Sequence, residues 1–274
     1  MMKTKKSWNI TAAVVVIAFI LNIPLINTVF TSLKTEGDIS AQPPKFWFTP
    51  TFEHFQNVLY AAGYDFPKFF LNSITLALST SLLVIAISLP SAYAIVRLGF
   101  GKKQLMPFAT GLRLFPPIIF AIPYYMMFQY LGLLDTVAGL VLINIFLNIP
   151  LGLLLMIGFL RDLPKDIEES AVIDGCNVFQ VLFKIILPLM GPGIASVGIL
   201  TFIFSWNDYL FAVIVALKNA TPVTLGATMF ITSWGIKWGD ISAATLLSIL
   251  PPLLFTFFAQ RYLVKGLSAG SVKG

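Results

Sequence analysis

At 274 residues, 57% hydrophobic and only 11% charged, the chain has too little polar surface for a water-soluble body, whose charged share is about 25%. A net charge of +6 does not signal nucleic acid in such a chain, because cationic residues gather on the cytoplasmic side of a membrane. One cysteine, Cys176, excludes a disulfide framework and a multi-cysteine metal site, and the single His54 sits in a polar stretch with no partner that suggests a metal.

In chain order, Lys3, Lys5 and Lys6 precede an apolar run from Ile10 to Phe30. The run is longer than a signal-peptide core and no small-residue cleavage site follows, so a retained first span is expected at 9–31. Residues 34–68 then form a long outer loop with Pro43, Pro44, Trp47, Pro50 and His54, its aromatics at the membrane interface. Further spans are expected at 70–96, 108–130, 137–160, 190–217 and 241–260, each near the roughly 20 apolar residues that cross a bilayer. Backbone groups in hydrocarbon need internal partners, so the spans are expected as helices, and the alternation of a barrel strand is missing. The fold class is therefore an all-α membrane protein with six transmembrane helices. It divides into an N-terminal span and loop (1–68), a core domain (69–261) and a tail (262–274).

The basic residues orient it. With the N-terminus inside, Lys3, Lys5, Lys6, Arg97, Lys102, Lys103, Arg161, Lys165, Lys184, Arg261, Lys265 and Lys273 lie on the inner side. Only Lys34, Lys45, Lys68, Lys218 and Lys237 lie outside. The bias predicts that both termini are cytoplasmic. Arg113 falls near a span edge, where it either snorkels to the inner surface or is buried with an acidic partner. Within 218–240, Pro222 to Trp234 is apolar enough to dip back into the membrane under cover of protein or a water-filled cavity. Prolines inside the spans (Pro24, Pro90, Pro116, Pro117, Pro123, Pro150, Pro251, Pro252) serve either ordinary kinks or a hinge and pathway.

Residues 161–188 stand out. Pro164 suits the first turn of a helix. Asp166, Glu168 and Glu169 crowd its N-terminal half, where the dipole favours negative charge, and Gly175 supplies a left-handed stop. A helix over 164–174 is predicted, with Leu163, Ile167 and Ala171 as its apolar stripe. Asn177 caps a second helix over 178–187, and Pro188 breaks or kinks the chain before the fifth span. Cys176 reads as a small apolar side chain after the turn. The pair is either an interfacial amphipathic hairpin with its acids in water or a handle for a second protein.

The spacing Glu169-Ser170-Ala171, Asp174-Gly175, then Ile185-x-Leu187-Pro188 resembles the signature EAA loop of ABC-importer permease subunits, with Ser170 and Cys176 where the pattern usually has alanine. Thr31-Ser32-Leu33-Lys34, Gly132-Leu133-Leu134-Asp135-Thr136, Phe204-Ser205-Trp206-Asn207-Asp208 and Gln260 to Gly266 look like the carbohydrate-importer branch. The end, Ser268 to Gly274, is similar to the tail of the shorter maltose-type permease subunit. The resemblance implies a type I importer permease fold in the inner membrane. It implies as partners a second permease, a dimer of ATP-binding subunits carrying ATP and Mg, and an extracytoplasmic solute-binding protein. It implies that Glu169 meets a basic residue of the ATPase while Asp174 and Gly175 shape the turn, and that a sugar, oligosaccharide or polyol is moved, or a glycerol-phosphate-like solute.

Polar residues inside spans are candidates by default. Trp206 beside Asn207 and Asp208 suits a sugar, the ring covering C–H groups and the amide or carboxylate meeting hydroxyls. Alternatively they stabilise the interface with the partner permease or mark the outer membrane boundary. Asn22, Asn27, Asn144 and Asn148 are read as bonding between helices. There is no G-x-x-x-x-G-K-S/T phosphate loop: Gly101-Lys102-Lys103 has Val96 at the leading position and lacks the final hydroxyl. No cofactor or catalytic residue is expected in this chain. An ion-coupled transporter would need intramembrane acids, for which only Asp208 serves.

Overall fold

The structure is a computed structural model and describes residues 3–61 and 63–269. In chain order it places α1 Lys3–Leu33, α2 Glu36–Ile39, α3 Glu53–Tyr60, α4 Phe66–Val96 and α5 Lys102–Leu112. A 3-10 turn at Pro117–Phe120 leads into α6 Ala121–Leu131, followed by α7 Val137–Asp162, α8 Asp166–Ile173 and α9 Val178–Gln180. A π turn at Val181–Ile186 joins α9 to α10 Leu187–Leu189, and α11 Gly191–Trp206 and α12 Leu210–Val215 follow. The chain ends with α13 Val223–Gly226, a 3-10 turn at Ala227–Phe230, the strands β1 Ile231–Thr232 and β2 Gly235–Ile236, and α14 Trp238–Ala269.

Among the described residues, four stretches are long and apolar enough to cross a membrane: Ile10–Leu33, Phe66–Val96, Val137–Asp162 and Trp238–Phe257. Two bent pairs bring the number to six if each is one span: Lys103–Leu112 with Pro117–Leu131, bent by 100°, and Val178–Leu189 with Gly191–Trp206, bent by 76°.

The bends correct two expected spans. The third, 108–130, begins at Lys102 and breaks over Arg113–Pro116. Pro116 and Pro117 remove two donors, and Pro116 drives Phe115 away from helical backbone. The fifth, 190–217, stops at Trp206 and resumes as α12. There the Asp208 carboxylate accepts the Phe211 N–H at 3.2 Å, a local bond that competes with the helical ladder.

By compactness the chain divides into two units, Met1–Pro67 with Gly226–Ile249, and Lys68–Leu225 with Leu250–Gly274. In the first, α1 is apolar around its circumference and its most apolar 18-residue stretch is not buried within this chain, although Ser32 near its end is. His54 does have a partner here. Its Nδ1 lies 2.7 Å from Asp240 and its Nε2 2.9 Å from the Lys34 carbonyl, with both side chains buried. The stretch from Val223 forms α13, a 3-10 turn and an antiparallel hairpin pairing Ile231 with Ile236, with Trp234 exposed at its tip.

The second unit holds the main core. Val84, Leu89 and Ile95 of α4, Met156, Ile157 and Leu160 of α7, and Ile186, Met190 and Val197 pack as one buried cluster. Gly152 lets α4 and α7 approach closely: a Cβ there would meet Val84 Cγ1 at 2.7 Å and Ser88 Oγ at 2.8 Å. Side-chain detail in α14 ends at Phe257. Ala269 is its last described residue, so the final residues of the predicted tail, Gly270 to Gly274, lie outside the described residues.

Candidate coupling helix and solute pathway

After α7 the chain leaves helical geometry at Leu163, and α8 starts at Asp166, two residues later than the spacing predicts. Pro164 precedes the helix and does not sit in its first turn. Asp166, Glu168 and Glu169 occupy the first turn, where their charge complements unpaired N–H groups. The far end is a Schellman stop. Gly175 has φ +84, its N–H donates to Val172 O, and the Cys176 N–H donates to Ala171 O, both at 3.0 Å. Asn177 then caps α9 in a reciprocal box with Gln180, at 3.0 and 2.9 Å.

The predicted second helix, 178–187, is one continuous run through α9, the π turn and α10. Pro188 does not end it, and the chain bends by 76° just beyond, between Leu189 and Gly191. The widened π turn ahead accommodates a residue that has no N–H, and the break comes at Met190. Val181, Leu182 and Ile186 are buried in the core, Ile185, Leu187 and Cys176 pack partly against it, and Pro188 is exposed.

The buried face of α8 differs from the predicted stripe. Ala171 is buried and Leu163 packs on the core, but Ile167 is exposed. The inward neighbour of Ala171, one turn back, is Glu168. Its carboxylate accepts the Arg97 Nε–H at 2.6 Å, and Arg97 Nη2 donates to the Leu163 carbonyl at 2.9 Å. The two side chains are 9% and 8% exposed, and the Tyr93 hydroxyl also faces Glu168. Residue type had marked Glu168 only as a dipole-favoured acid and Arg97 only as an inner cation. The three-residue step from Glu168 to Ala171 is the signal that would have placed Glu168 inside.

With Glu168 turned in, Glu169, Ser170, Asp174 and Gly175 remain exposed. They are flanked by Val172, Ile173 and Phe179, apolar and largely uncovered within this chain. A carboxylate on a short rigid helix among exposed apolar side chains has the make-up of a protein-docking surface.

A cavity of about 250 Å³ lies in the same unit, lined by Arg113, Phe115, Phe120, Asn144, Phe146, Asn148, Phe204 and Asp208 among others. Asp208 Oδ2 accepts from Asn144 Nδ2 at 2.8 Å, and the Asp208 carbonyl accepts from Thr224 Oγ1 at 3.2 Å. Arg113 caps the C-terminal end of α5 with an exposed side chain. Asn144 bonds between helices as predicted, whereas Asn148 and Asn22 bond back to their own helices.

Of the three residues read as a sugar platform, only Asp208 lines this cavity. Trp206 is 2% exposed. It stacks on Phe202 at 5.7 Å and meets the edge of Phe70 at 5.8 Å, so its ring faces are spent on core packing. Asn207 is exposed and turns back to the Ile203 carbonyl.

One further functional-looking residue was legible only as part of a motif. Asp135, in left-handed backbone at φ 55, accepts from the backbone N–H groups of Leu217, Lys218, Asn219 and Ala220 at 2.9, 2.8, 2.8 and 3.1 Å. Burial pushes its carboxyl upward, but these four donors outweigh that and hold it down at about 2.

Comparison with known proteins adds to this geometry. Residues 84–269 match the family described as binding-protein-dependent transport system inner membrane component. The chain is 33% identical over 243 residues to the trehalose/maltose transport system permease protein MalG of Thermococcus litoralis, covering 85% of this chain and 87% of the other. It is 31% identical over 258 residues to the sulfoquinovosyl glycerol transport system permease protein SmoH of Agrobacterium fabrum, covering 92% and 88%. Its fold is similar to a chain from the crystal structure of a bacterial ABC transporter that imports the acidic polysaccharide alginate. That likeness has TM-score 0.79 and 20% identity, and covers 96% of this chain and 98% of the other.

Proposed function

The chain belongs to the family of binding-protein-dependent transport system inner membrane components, a multi-pass permease subunit of the ABC importer type, and from that premise we propose how it is driven and what it carries. It pairs with a second permease, two ATP-binding subunits that bind ATP and Mg, and an extracytoplasmic solute-binding protein. Its span α1, left largely uncovered within this chain, is covered by the second permease. The distribution of basic residues supports cytoplasmic termini and, with them, a cytoplasmic position for α8.

The observation that carries the reading is the division of labour on α8: Glu168 is held inward by Arg97 while Glu169, Ser170, Asp174 and Gly175 face outward. The outward group enters a cleft of the ATPase, Glu169 meeting a basic side chain there in a charge-assisted bond. ATP binding closes the ATPase pair and moves α8. The core packed on α8 follows, and the cavity around Asn144 and Asp208 changes the side to which it opens. The chain's own part is mechanical, and hydrolysis belongs to the partner. Ile185 and Leu187 help fix the loop to the core, and Pro188 and Gly175 set its angles.

The solute is a sugar, oligosaccharide or polyol, as the names of the relatives support. One observation favours an anionic member of that class, a glycerol-phosphate or sulfonated sugar. Arg113 lines the cavity with an exposed guanidinium, a group suited to phosphate or sulfonate oxygens.

Glu169→Lys tests the coupling reading. Reconstituted with its partners, the variant is expected to insert normally but to lose ATPase subunits on purification and to lose ATP-driven uptake. Full uptake by this variant would exclude the proposed docking contact. Uptake assays with trehalose, maltose and glycerol 3-phosphate separate neutral from anionic solutes.

A further inference from the structure

We propose that Arg97 is a positioning residue for coupling: by gripping Glu168 and the end of α7 together, it makes α8 a rigid extension of α4. The inference rests on the reading of α8 as the ATPase-docking helix.

The chain itself is a poor transmitter at this point. α8 has eight residues, below the roughly 12 that hold a helix on their own. On one side the extended Leu163 and the non-helical Pro164 separate it from α7, and on the other it ends at the left-handed Gly175. A push on α8 that relied on these joints would rotate them. Ala171 supplies apolar contact to the core, but a single methyl fixes no direction.

Arg97 does fix one. It follows directly on α4, whose last residue is Val96. Its planar guanidinium donates through Nε to Glu168 on α8 and through Nη2 to the carbonyl of Leu163, the C-cap of α7. Two bonds from one rigid fork define position and angle, which a lysine ammonium cannot do. Both side chains are withdrawn from water, where screening is weak and the pair is stiff. Tyr93, one turn earlier on α4, faces the same carboxylate. Neighbouring carboxylates on α8 thus work in opposite directions: Glu169 takes the load from outside and Glu168 delivers it to α4.

The test uses the complete importer in proteoliposomes, with Phe204→Cys as a reporter in the cavity and Cys176→Ser to remove the native thiol. The reading is the change in modification rate of the reporter by a charged methanethiosulfonate when ATP and Mg are added. Arg97→Met with Glu168→Leu removes the grip without leaving a buried charge unpaired. This double variant is expected to retain its ATPase subunits and their hydrolysis, while the ATP-dependent change in rate shrinks by at least about fivefold. Arg97→Lys, which keeps the charge but not the fork, is expected to shrink it by less, and it carries the test if the double variant does not assemble. An undiminished change in an assembled variant overturns the role of Arg97 and leaves the docking reading standing. Failure of the ATPase to copurify with the otherwise native chain overturns the docking reading itself.

Discussion

The two ends of α7 are each secured by a carboxylate across a long sequence gap, by different means. At the end after Asp162, Glu168 meets one guanidinium in a site closed to water. At the end before Val137, Asp135 collects four backbone N–H groups in a site where most of these bonds are exposed. The first arrangement depends on one partner side chain and is costly to break. The second depends on the shape of the 217–220 loop, and water can replace part of it. The difference teaches that a lever and a loop staple place unlike demands on the same chemical group. A lever needs a stiff, directional, desolvated contact, whereas a staple needs only many donors.

Breaking the pair on one side gives the largest effect. Glu168→Ala leaves Arg97 buried without its counter-charge, and the expected loss of stability is about 3–5 kcal/mol, read as a lowered midpoint of thermal unfolding for the purified complex. If Glu168→Ala cost no more than a surface substitution, the site would not be closed to water and the contrast would fail.

Asp135→Ala is expected to cost less, about 1–3 kcal/mol, because the freed N–H groups reach solvent. Its signature is local: faster amide exchange at 217–220 with little change in the core. The same staple has a defined pH response. The folded carboxyl is depressed to about 2, below its ordinary value in an unfolded chain, so its contribution is complete above the unfolded value and disappears as pH falls through about 2. Exchange protection at 217–220 should therefore hold through mild acid and fail near the lower value, and Asp135→Asn should remove that acid limb.

The smallest effect is expected at Gly175→Ala, which forces a Cβ into left-handed backbone at a cost of about 1 kcal/mol. It sharpens the comparison by loosening the stop of α8 without touching Glu168. Unfolding should barely shift while proteolysis within 174–178 rises.

Much of this was legible residue by residue. The apolar runs marked the spans, Gly175 marked its own left-handed turn, and Asn177 marked a cap, because each depends on neighbours within a few positions. Pro116 and Pro117 were seen, yet the break they impose on the third span was not placed, since helix partners elsewhere decide whether a membrane proline kinks or breaks. The surroundings of Trp206 were not legible, because an aromatic beside polar residues looks the same whether its faces meet a solute, a partner, or Phe202 and Phe70. The Asp240 partner of His54 was not legible because it lies 186 positions away.

The sequence by itself determined that this is a helical membrane subunit with an acidic, glycine-stopped helix after the fourth crossing, since composition and short-range spacing set hydropathy, caps and turns. Only the tertiary structure decided which acid faces in and which faces out. That choice depends on Arg97, 71 positions from Glu168, and on a loop 82 to 85 positions from Asp135. A charge is stabilised by whatever packing brings beside it, and no local pattern records that neighbour.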